Sequence, residues 1–210
     1  VFVSKYLENI TSKICLVNKK IVIPKFLSKE LNKIKINYKI KKIIIWSVQR
    51  NRGLQETLDM WIKSVYPKNK DAMFYVFGIS KNDYSKKMSF YKKYNIFFFG
   101  RVSKIKLRNV YSESLGMICL GYDETFCLNA LEGNSCGLPV FTFGKTALNE
   151  LIQDKNNGMI SNDFSQLAFN LNKFLNYNLT IRKRYIINSF NYSKKFTLDK
   201  IINHWIKLLK

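Results

Sequence analysis

From residue 41 onward the chain alternates two kinds of segment, and that alternation restricts its fold more than any other feature. "KKIIIWSV", "AMFYVFG", "IFFFG", "GMICL" and "LPVFTF" are short runs dense in β-branched and aromatic residues. Such runs suit strands buried in a parallel sheet. Between them stand stretches with helical spacing. "GLQETLDMWIKSV" places apolar residues at Leu54, Leu58, Trp61 and Val65. "NDYSKKMSFYKKYN", "SKIKLRNVYSES" and "TFCLNALEG" read as helices, as does a short stretch from about Thr146 to Ile152. Strand–helix alternation predicts βαβ units and hence an α/β fold, a doubly wound parallel sheet of Rossmann-like form. Right-handed crossovers put helices on both faces and gather ligands at the carboxyl ends of the strands. From about residue 163 to the end, including "TLDKIINHWIKLLK", the pattern is helical.

Residues 1–40 do not share this rhythm. "VFVSKYLENI" reads as a strand and a helix, "KIVIP" as a strand, and "KFLSKELNKIKINYKIKK" as a lysine-rich connector. Residue 1 is Val inside a strand-like run, so the chain is expected to start in the middle of a longer protein. The expected organisation is a segment over 1–40, a sheet domain over 41–190 and a terminal helix over 191–210.

Lys and Arg number 36 against 14 Asp and Glu, a formal charge of +22. Such a balance suits nucleic acid, anionic membrane surfaces or anionic substrates. The lysines are scattered along the chain rather than gathered in one arm, as a general bias towards Lys, Asn and Ile would produce. The aromatics cluster in strand-like runs instead of alternating with lysines on a face, so no specific nucleic-acid partner is expected. No apolar run approaches the roughly 18 residues of a membrane span. The expectation is a cytoplasmic protein with weak attraction to the inner face of an anionic membrane. Cys15, Cys119, Cys127 and Cys136 lack metal-ligand spacing and read as reduced thiols.

In this basic chain the stretch "ETFCLNALEGNSCGLPVF" stands out, with two glutamates eight positions apart in an apolar context. "GMICL" ends at the sheet edge, and the next helix is predicted to begin near Glu124 or Thr125. That would set Glu124 beside free N–H groups of Thr125, Phe126 and Cys127, a ready anion site. Glu132 would then lie about 12 Å further along the helix axis, at about 1.5 Å per residue. A carboxylate only accepts hydrogen bonds and so suits the hydroxyls of a sugar or a ribose.

"DETFCLNALEGNSCGLPVFTFGKTALNELIQDKNNGMI" resembles the donor-binding motif of retaining GT-B glycosyltransferases of family four, the glycosyl transferases group 1. That motif carries two glutamates followed by small residues, Gly and Pro-Val, then a later Glu (here Glu150) and an Asn-Gly pair (Asn157-Gly158). "SVQRNRGLQETLDMW" resembles the family's basic Gly-Leu element after the first strand of the domain, and "IFFFGRVS" its Phe-x-Gly-Arg-Val turn. The likeness runs from about 42 to 175. It implies the carboxy-terminal, donor-binding half of a GT-B fold, with residues 1–40 left from the acceptor domain and the terminal helix crossing back towards that domain.

The resemblance implies a nucleoside-diphosphate sugar as donor, UDP- or GDP-linked, and a glycan or lipid-linked acceptor. No metal is expected, because basic side chains would neutralise the leaving diphosphate. Glu132 would bind the ribose hydroxyls and Glu124 a hydroxyl of the transferred sugar. Arg52, assisted by Arg50, would meet the diphosphate, and Thr125, Phe126 and Cys127 would offer backbone N–H groups. The turn Gly100, Arg101 and Val102 would lie against the base. Without an acceptor domain, such a chain is expected to bind donor weakly and to transfer little. The alternative is a module that binds sugar nucleotides or anionic surfaces without catalysis.

Three places depart from the family pattern. Leu120-Gly121 stand where the family often has Pro-Ser, Gly133 follows Glu132, and Thr146-Ala147 replace a common Gly-Gly. Trp46 and Trp61 read as core, and His204 as a packing residue.

Overall fold

The computed structural model describes residues 1–15, 19–28, 41–47, 51–80, 84–85 and 87–209. Six parallel strands form one sheet: β1 (Ile43–Trp46), β2 (Met73–Phe77), β3 (Ile96–Gly100), β4 (Gly116–Ile118), β5 (Val140–Thr142) and β6 (Gly158–Ile160). Their order is β3-β2-β1-β4-β5-β6. The sequence therefore runs outward from β1 to one edge, returns to β4, and runs outward to the other. All four residues of β1 are buried, as expected of a central strand with helices on both faces. Trp46 and Trp61 have no exposed surface, and Trp61 stacks on Phe74 with ring centroids 5.1 Å apart.

Helix α1 (Lys5–Ile14) lies in the amino-terminal segment. Between strands come α2 (Leu54–Met60), α3 (Met88–Lys92), α4 (Lys104–Glu113), α5 (Leu128–Ser135) and α6 (Leu148–Leu151). Helix α2 continues through a π-helical turn at Trp61–Val65 and a 3-10 turn at Tyr66–Lys68. Three helices close the chain: α7 (Phe164–Leu175), α8 (Leu179–Ser193) and α9 (Leu198–Leu209). Asp163 caps α7 and Asn178 caps α8, each accepting from a backbone N–H three residues on.

Three expectations change. β6 is an additional strand; at three residues and opening on glycine, it carries too little pattern to be read as one. "VFVS" and "KIVIP" form only one parallel bridge, Phe2 to Val22, held by two backbone bonds of 2.8 Å. His204 is exposed rather than packed, its ring Nδ1 lying 3.1 Å from the carbonyl of Lys200. The connector over 29–40 lies outside the described residues, as does Arg50.

Candidate active site at the sheet's switch point

The strand order reverses between β1 and β4, and in open α/β sheets the crevice at such a reversal takes the ligand. Two segments bound it here, residues 51–53 ahead of α2 and residues 119–127 after β4. Gly53 lets them meet. Its φ is +91°, and a Cβ on it would fall 2.6 Å from both Leu120 and Tyr122. Across this contact the Arg52 guanidinium stands 3.6 Å from the Glu124 carboxylate, with the two side chains 21% and 17% exposed. That separation is ionic contact rather than a hydrogen bond. Arg52 Nη1 is buried without a hydrogen-bond acceptor among the described residues. The pair joins residues 72 positions apart.

Helix α5 starts later than the sequence predicts. Asp123 and Cys127 both adopt left-handed backbone, with φ of 52° and 66°, and the first helical residue is Leu128. Tertiary packing explains the delay. Phe126 is buried against Phe196, and the Cys127 thiol turns inward to lie 3.2 Å from that of Cys119. Glu124 therefore sits in a turn, its N–H bonded to the carbonyl of Gly121, and not at a helix N-terminus. The expected 12 Å spacing along one helix does not apply, and Thr125, Phe126 and Cys127 are loop residues. Burial raises the pKa of Cys136 to about 12, and Cys119 is raised by its contact with Cys127. Both stay thiols at neutral pH.

Glu132 lies in the middle of α5, partly buried, facing a pocket lined by Lys104, Leu107, Arg108, Tyr111 and Ser28. Its carboxylate makes no hydrogen bond or ion pair among the described residues. Burial raises its pKa, and the charge of Lys104 partly offsets this. The pocket is framed from several elements. Asn129 Nδ2 donates to the carbonyl of Ser47 at 2.6 Å, and the Ser47 and Tyr111 hydroxyls bond to each other. Below Glu132, Asn134 Nδ2 donates to the carbonyls of Ala130 and Leu138. Its Oδ1 accepts from Asn157 Nδ2 at 2.7 Å.

Gly100 closes β3 with φ of 70°, and its carbonyl accepts from Gly78. Arg101 is exposed, and Val102 packs against the core. Ser103 then caps α4, accepting from Lys106 N–H. The turn does not line the pocket itself; it starts the helix that brings Lys104 and Arg108 there. Those two basic residues, four apart, look in sequence like a solvated helix face, and only the approach of α4 to α5 shows otherwise. Thr146, in the loop after β5, lies beside Gly121 of the β4 loop. Its hydroxyl is buried and has no partner among the described residues.

Glu150, the later acid of the motif, is occupied within the protein. Its two oxygens accept from the N–H groups of Lys5 and Tyr6 at 3.0 and 2.8 Å, capping α1. Among the described residues no group of three His, Cys, Asp or Glu could hold a metal ion, and no helix is long and apolar enough to cross a membrane.

Comparison with known proteins agrees with this architecture. Residues 28–191 match the family profile described as "Glycosyl transferases group 1". No curated protein matches the chain in sequence. Similar solved structures include TarM (S. aureus), with a TM-score of 0.82 and 16% identity over 99% of this chain and 42% of that one. Sucrose-phosphate synthase from Thermosynechococcus elongatus gives 0.81 and 16%, over 99% and 56%. HepE from Anabaena, solved with UDP and glucose, gives 0.80 and 14%, over 99% and 61%. The chain thus spans about half the length of these relatives in fold, all of them below 25% identity.

Proposed function

The chain belongs to the glycosyl transferases group 1 family, and from that premise we propose that it binds a nucleoside-diphosphate sugar, UDP- or GDP-linked, in the crevice between β1 and β4. It acts as the donor-binding part of a retaining glycosyltransferase whose acceptor is a glycan or glycolipid. Structural relatives crystallised with UDP and with glucose or GlcNAc support this donor class.

The observation that carries the reading is Glu132. A partly buried carboxylate with no hydrogen bond or ion pair among the described residues, in a pocket on the ligand side of the sheet, is a costly arrangement without a ligand to accept from. Ribose hydroxyls supply such donors. Glu124 accepts from a hydroxyl of the transferred sugar. Arg52 exchanges Glu124 for the diphosphate, which supplies the acceptor that Nη1 lacks, and it stabilises the charge developing on the leaving group. Arg50 assists, the backbone of Thr125, Phe126 and Cys127 lies along the phosphates, and the turn at Gly100 to Val102 borders the base. No metal is required for this chemistry.

A membrane-bound acceptor suits the last helix. On α9 the apolar Ile202, Trp205, Ile206 and Leu209 are exposed beside Lys200 and Lys207, and the chain carries +22. Such a face favours residence at the cytoplasmic surface of an anionic bilayer.

The test is calorimetry of the chain with UDP, GDP and their hexoses. One nucleotide should bind, and Glu132→Ala should weaken it about tenfold or more while the variant stays folded, as loss of a charged hydrogen bond predicts. Equal affinity in the folded variant and the parent would remove Glu132 from the site.

A further inference from the structure

Thr146 is 8% exposed, and its Oγ1 is buried without a hydrogen-bond partner among the described residues. A hydroxyl in that state is normally satisfied, which leaves an ordered water or a ligand to supply the partner that the described residues do not. The surroundings narrow the choice. The loop of Thr146 is tied to the Glu124 turn by the Ala147 N–H donating to the Glu124 carbonyl at 3.3 Å. On the other side is Gly121, whose φ is +81°; a Cβ there would fall 2.9 Å from Thr146 Oγ1 and 2.7 Å from Leu148. The Thr146 side chain therefore takes the space that a side chain at 121 would need.

Both positions depart from the family pattern, and in opposite directions. Residue 121 loses the hydroxyl of the common Pro-Ser, and residue 146 gains one where the pattern has glycine. The two changes are sterically linked, because Thr146 Oγ1 in this rotamer lies where a Cβ at residue 121 would stand. The site keeps a hydroxyl, but presents it from the β5 loop.

We infer that Thr146 is a specificity-determining residue that hydrogen-bonds a hydroxyl of the transferred sugar, next to the hydroxyl held by Glu124; this rests on the donor-site reading above. A sugar hydroxyl is favoured over a phosphate oxygen because Arg52 and the 125–127 backbone already take the phosphates, whereas the neighbouring Glu124 carboxylate accepts from a hydroxyl. Threonine Oγ1 both donates and accepts, so it can complete a chain of bonds through a sugar hydroxyl to Glu124. Rotation about a single bond turns it from its covered position towards the crevice.

The experiment compares the parent chain with Thr146→Val and Thr146→Ser, measuring affinity for UDP and for UDP-glucose, UDP-galactose and UDP-GlcNAc, and for GDP and GDP-mannose. Thr146→Val keeps the shape and removes only the orphaned hydroxyl, so its melting temperature should not fall. The nucleoside diphosphate should bind it within about twofold of parent. The preferred sugar nucleotide should bind about three- to tenfold more weakly, as the loss of one neutral hydrogen bond predicts. Thr146→Ser should recover most of that loss. An equal loss for diphosphate and sugar nucleotide, or no loss for either, would overturn the inference. So would a parent that binds the sugar nucleotide no more tightly than its diphosphate, although that result leaves the nucleotide site standing. A folded parent that binds none of the six ligands would overturn the donor-site reading and this inference with it.

Discussion

Asn157→Ala should be among the more damaging single substitutions in the chain, although Asn157 touches no proposed ligand. Its side chain is fully buried and makes three bonds. Nδ2 donates to Asn134 Oδ1 at 2.7 Å and to the carbonyl of Leu151 at 2.9 Å, and Oδ1 accepts from the Gln153 N–H at 2.7 Å. Alanine removes all three. The Gln153 end is near solvent, so water can replace that bond at little cost. Asn134 Oδ1 and the Leu151 carbonyl lie inside, and each loses its donor at about 1–3 kcal/mol for a buried group left unsatisfied. The expected total is about 3–4 kcal/mol, in the range reserved for broken buried networks. At this chain length each kcal/mol moves the melting temperature by about 2–4 °C, so a fall of about 6–16 °C is expected. Urea unfolding of parent and variant at neutral pH gives the energy, and calorimetry the temperature. Because Asn134 fixes the lower turn of α5, sugar-nucleotide affinity should fall as well. A variant within about 1 kcal/mol of the parent would refute the reasoning, since it would mean that the orphaned groups find water or other partners.

Arg52→Ala should weaken a nucleoside diphosphate more than the bare nucleoside, with Lys restoring part of the loss because it supplies charge without the planar fork. Equal losses for both ligands in calorimetry would remove the phosphate from its role. Glu132 carries a pH signature. Its folded pKa is raised by burial, so the fold favours its protonated form. The stability from this source is fully present below the ordinary glutamate value of about 4.3 and declines as pH rises through the raised value. Glu132→Gln should abolish that decline in urea unfolding across about pH 4–8, and an unchanged slope would show that Glu132 is not the group responsible.

Five strands were legible because an all-apolar, β-branched run such as Ile43–Ile45 has few alternatives to a buried strand. β6 was not, because Gly158–Ile160 owes its strand geometry to pairing with β5 rather than to its own composition. The start of α5 was misplaced for a similar reason. Asp123 and Glu124 look like a helix N-terminus, whereas the left-handed backbone at Cys127 is imposed by burial of its thiol and of Phe126, contacts with residues 119 and 196. Glu132 could be singled out because an acid between Leu131 and Gly133 has no bland explanation in an apolar helix. The basic partners in its pocket could not, because Lys104 and Arg108 repeat at a spacing common to any exposed helix face.

The grip of Glu150 on α1 makes the first helix an internal clock for the site. The N–H groups of Lys5 and Tyr6 are closed off by a side chain 145 and 144 positions away, and Ser4 Oγ donates to the carbonyl of Thr125 at 2.6 Å. Amide hydrogens in the first turn of a helix ordinarily exchange with solvent quickly, having no partner within the helix. Here both have an acceptor on α6, in an exposed contact, so exchange at these positions depends on release of Glu150. Deuterium uptake at residues 5 and 6 therefore reports on how firmly α6 holds α1, and a ligand that steadies the Glu124 turn, tied to α6 through Ala147, should slow exchange at amides it never touches.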